Sequence, residues 1–101
     1  MVALTTAPST EVGERIGRTL VEERLAACAN VVGGVTSIFS WKGATQREGE
    51  VLVILKTTAA GVQALQRRLV ELHPYEVPEL LALPVARGFG PYLDWLRADG
   101  G

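Results

Sequence analysis

A single cysteine, Cys28, in 101 residues rules out an internal disulfide. One cysteine with one histidine, His73, cannot close a four-ligand structural zinc site within one chain. Any metal site must therefore recruit carboxylates, water or another subunit. Excess charge of either sign is missing as well. Ten Lys and Arg against eleven Asp and Glu leave a formal charge of −1, which gives no basic footprint for nucleic acid or for an anionic membrane surface. Met1 to Thr5 lacks a charged region and a sustained apolar stretch, so neither a signal peptide nor a membrane span is expected, and the expected compartment is the cytoplasm. There is no phosphate-binding glycine loop, nucleophile elbow, histidine pair or dinucleotide fingerprint. An enzyme is the least supported class, and no organic cofactor is expected.

What is present is a chain that is 48% apolar, with length for one domain, residues 1–101, and none for a second. Val2 to Ala7 reads as a short strand. Ser9 after Pro8 is a preferred helix cap, and Val12, Ile16 and Leu20 recur every four residues, which predicts a helix to about Leu25. Gly13 and Gly17 within it form a small face that either admits a close backbone approach or is merely tolerated. Ala29 to Trp41 is rich in β-branched and aromatic residues and reads as a long strand interrupted at Gly33 and Gly34. Lys42 to Glu50 is polar and reads as the hairpin connection into a third strand, the apolar run Val51 to Leu55.

Val62, Leu65, Leu69 and Leu72 mark a second helix that ends before His73, because His73 precedes Pro74. Glu79 to Leu83 reads as a fourth strand and Pro91 to Leu96 as a short terminal helix. This βαββαβ order is that of an α+β, ferredoxin-like sandwich, with both main helices on one face of an antiparallel sheet. A sheet with one solvated face should alternate apolar and polar residues, yet Val51 to Leu55 and Leu80 to Leu83 are apolar at every position. Both faces must be buried. Other copies of the chain are the simplest cover, which predicts a tight oligomer.

The same segments resemble the CutA1 family of divalent cation tolerance proteins. The resemblance spans almost the whole chain and rests on Glu22-Glu23-Arg24-Leu25-Ala26-Ala27-Cys28-Ala29-Asn30, on Val35-Thr36-Ser37-Ile38-Phe39 with Trp41 and Gly43, and on Lys56-Thr57. Its most specific part is Leu72-His73-Pro74-Tyr75-Glu76-Val77-Pro78-Glu79, followed by Leu83-Pro84 and Tyr92-Leu93-Asp94-Trp95-Leu96. Ala29 and Phe39 stand where the family usually has Val and Tyr, and Arg47-Glu48-Gly49-Glu50 is looser than the usual acidic run. The resemblance implies a cytoplasmic homotrimer like the PII signalling proteins, linked to tolerance of copper and other divalent metal ions, without a settled catalytic activity.

The residues themselves leave alternatives open. Cys28 is either a buried small hydrophobe or a soft ligand suited to Cu(I). His73, at a helix end before a proline-stiffened loop, is either a copper ligand joined by Glu76 or Glu79, or a cation stabilising the helix terminus. The loop from Pro74 to Pro78 is alternatively a rigid connector. Trp41, Lys56 and Tyr75 are candidates for a cleft between subunits that binds a small anion, as against ordinary interface packing. Three functions follow: a divalent-metal binding protein, a PII-like module for a small effector or partner protein, and a stable trimeric scaffold.

Overall fold

The structure, a computed structural model, describes residues 1–99; the end of the expected 1–101 domain lies outside the described residues. Strand β1 (Val2–Ala7) leads into helix α1 (Thr10–Glu22), then β2 (Cys28–Trp41), β3 (Ala44–Lys56), α2 (Val62–Leu72), β4 (Leu81–Leu83) and α3 (Gly90–Asp99). The sheet order is β2-β3-β1-β4 with every pairing antiparallel, the ferredoxin-like arrangement expected from the element order.

Local chemistry sets the helix ends. Ser9 accepts a hydrogen bond from the Val12 N–H, satisfying one free donor of the first turn of α1. That helix stops at Glu22, short of Leu25, because Arg24 turns left-handed at φ 60°; its N–H bonds to the Val21 carbonyl and that of Leu25 to the Leu20 carbonyl. Arg68 of α2 grips the Glu23 carboxylate with two 2.9 Å bonds, holding Glu23 below the usual carboxylate range.

Ile16 and Leu20 of α1 and Leu65 and Leu69 of α2 are fully buried against Ala3, Ala7, Val53 and Leu55 of the sheet. Each large aliphatic side chain so buried contributes about 1.5–3 kcal/mol. The small face of α1 is a close approach: a β-carbon added at Gly17 would lie 2.9 Å from the Ala29 Cβ, and one at Gly13 2.9 Å from Val51 Cγ2.

The other sheet face carries Val2 and Leu4 of β1, Leu52 and Ile54 of β3, and Leu81 and Leu83 of β4, aligned by the strand register. Within one chain the two β3 residues are half-buried, while Leu81 and Leu83 remain 58% and 49% exposed. Burial of both faces is thus incomplete in a single copy.

The Lys42–Glu50 segment differs from the loop expected. Only Lys42 and Gly43 form the turn, at φ 51° and 80°, the two-residue type whose twist suits a hairpin. Trp41 pairs with Ala44 and the ladder continues through Ser37↔Glu48 to Val35↔Glu50, so Thr45 to Glu50 belongs to β3. A register shift between Val32 and Val35, with Gly34 at φ 73°, bends β2. The result is an arm, and the molecule measures 45 × 25 × 22 Å. β4 is shorter than Glu79–Leu83, and α3 longer than Pro91–Leu96.

Candidate functional site

Because the side chains of a strand alternate, Glu48 and Glu50 share a face of the arm, and their partners Ser37 and Val35 lie on that face of β2 with Phe39 and Trp41. The segment that leaves α2 at His73 runs past the end of β1 toward β4. Between arm and segment lies a cleft of about 830 Å³. Phe39, Trp41, Glu48 and Glu50 line it from the arm, and Tyr75, Glu76 and Glu79 from the segment.

His73 and Tyr75 tie the two walls together. The Tyr75 N–H donates to His73 Nδ1 at 3.1 Å, so that nitrogen is the acceptor; Nε2 then carries the proton and donates to the Thr6 carbonyl at 2.7 Å. The buried ring is neutral in this arrangement, not a cation at the end of α2. It packs against the Tyr75 ring with centroids 4.7 Å apart. The Tyr75 hydroxyl donates to Glu50 Oε2 at 2.6 Å, across to the arm. Burial, then the Glu50 carboxylate, pushes the phenol well above its ordinary value, because ionisation would place two negative charges together.

The expected site residues therefore divide. Trp41, Tyr75, Glu76 and Glu79 come together in the cleft. Lys56 does not join them within the chain: it lies beside Cys28 on the open sheet face, paired across strands, with its Nζ 3.8 Å from Cys28 Sγ and hydrogen-bonded to Asn30 Oδ1. Among the described residues no basic side chain lines the cleft, so within one chain its chemistry suits a cation, while the small-anion cleft between subunits expected from the sequence would need Lys56 from another copy. Both His73 nitrogens are engaged, and ligation through either would have to displace a hydrogen bond. Among the described residues no three His, Cys, Asp or Glu side chains converge as a metal site requires. One chain thus offers a compact ion fewer than three such donors, and the rest must come from water or another copy.

Sequence reasoning undervalued Glu48, Glu50 and Phe39. The usable signal was the i, i+2 spacing of the two glutamates, which puts them on one strand face once β3 is extended back to Ala44.

A family model described as CutA1 divalent ion tolerance protein matches residues 1–99. The chain belongs to the CutA1 family. It is 51% identical over 100 residues to the divalent-cation tolerance protein CutA of Thermus thermophilus, covering 99% of this chain and 97% of that protein. A solved divalent cation tolerance protein from that organism has a TM-score of 0.97, with 99% of this chain and 97% of the other covered. Protein CutA of Homo sapiens is 46% identical over 95 residues, which are 94% of this chain but 53% of the human protein. The PII-like protein CutA from Nostoc sp. PCC 7120, solved in apo form, is 41% identical with a TM-score of 0.92, covering 99% and 96% of the two chains. Among the described residues no helix is long and apolar enough to cross a membrane.

Proposed function

We propose that this chain acts as a single unit in divalent-cation tolerance, as a cytoplasmic homotrimer that binds a divalent cation such as Cu(II) and performs no catalysis. The observation that carries this reading is the cleft, where Glu48, Glu50, Glu76 and Glu79 face a common space with no basic side chain among its lining residues. Carboxylate oxygens suit divalent ions, and an imidazole would favour copper. His73 joins the ligand set only by releasing Thr6 or Tyr75. Cys28, on the open face with Lys56, is kept for the soft Cu(I). Assembly with other copies is supported by the apolar open face, and the names of the relatives support the tolerance role. Calorimetric titration at pH 7.5 tests the site: Glu76→Gln with Glu79→Gln should weaken Cu(II) binding about tenfold or more, and Cys28→Ser should leave it nearly intact. Parental affinity in the double variant moves the metal out of the cleft.

A second reading is favoured by a separate feature, the aromatic lining from Phe39, Trp41 and Tyr75. It makes the cleft the effector site of a PII-like module, since apolar walls with a few placed polar groups are how small-molecule pockets are built.

A further inference from the structure

We draw no further inference here: the strongest candidate, the Cys28–Asn30–Lys56 side-chain cluster where β2 and β3 pair at the end of the open sheet face, rests on a single cysteine whose neighbours bond only within the cluster, and no second feature of the structure points to a ligand there.

Discussion

Gly17→Ala sets two known effects against each other. In a helix interior Ala is favoured over Gly by about 1 kcal/mol, so on propensity alone the substitution stabilises. The added methyl, however, would sit 2.9 Å from the Ala29 Cβ, well inside the ~3.5–4.0 Å of ordinary carbon contact. Both β-carbons are fixed to backbone, in α1 and β2, so no rotamer relieves the overlap and the helix itself must lift. Overpacking of that kind costs about 1–3 kcal/mol, and this case belongs in the upper half of the range. The expected net loss is about 1–2 kcal/mol, or a midpoint lower by roughly 4–8 °C per kcal/mol. Thermal unfolding followed by circular dichroism, at one protein concentration for all variants, measures it. Ala29→Gly in the same chain removes the opposing methyl, so the pair should show a coupling of about 1 kcal/mol or more. A Gly17→Ala variant stabilised by about 1 kcal/mol would refute the close contact between α1 and β2.

Leu52→Asp with Ile54→Asp should leave a folded monomer by circular dichroism and light scattering, because these residues face the open side of the sheet. Val53→Asp with Leu55→Asp should unfold the chain, since both side chains are fully buried under the helices; tolerance of both pairs would contradict burial on two faces. In a Tyr92→Phe background, ultraviolet titration should show the Tyr75 phenol ionising above the ordinary value of about 10. A phenol whose folded value is raised adds stability that is fully present below pH ~10 and is lost as pH rises through the folded value. Tyr75→Phe should abolish that part of the alkaline decline, and an unchanged decline would assign it elsewhere.

The helices were legible because their signals are local: Ser9 before the Val12, Ile16, Leu20 repeat, and Pro74 ending what begins at Val62. The parity of β3 was equally readable: it puts Lys56 on one face with Leu52, Ile54, Glu50 and Glu48, but six residues and about 20 Å along the strand from Glu50. The arm itself was not legible. Its turn has Lys42, a non-glycine residue, at positive φ, and the polar run from Thr45 to Glu50 is a strand through pairing with β2, without the burial that apolar alternation reports. The site depended on contacts distant in sequence. Tyr75 meets Glu50 across 25 residues, and His73 meets Thr6 across 67, so no spacing rule announced that the single imidazole is held by the fold.

The cleft as a cation site is tested most directly by anomalous diffraction from crystals soaked in Cu(II), which locates the ion, its donors and the assembly together. The account predicts a copper peak between the arm and the Tyr75–Glu79 segment, with carboxylate donors from Glu48, Glu50, Glu76 or Glu79, in three copies whose open sheet faces meet. A copper peak outside that cleft, or an assembly that leaves Leu52 and Ile54 in solvent, would contradict it.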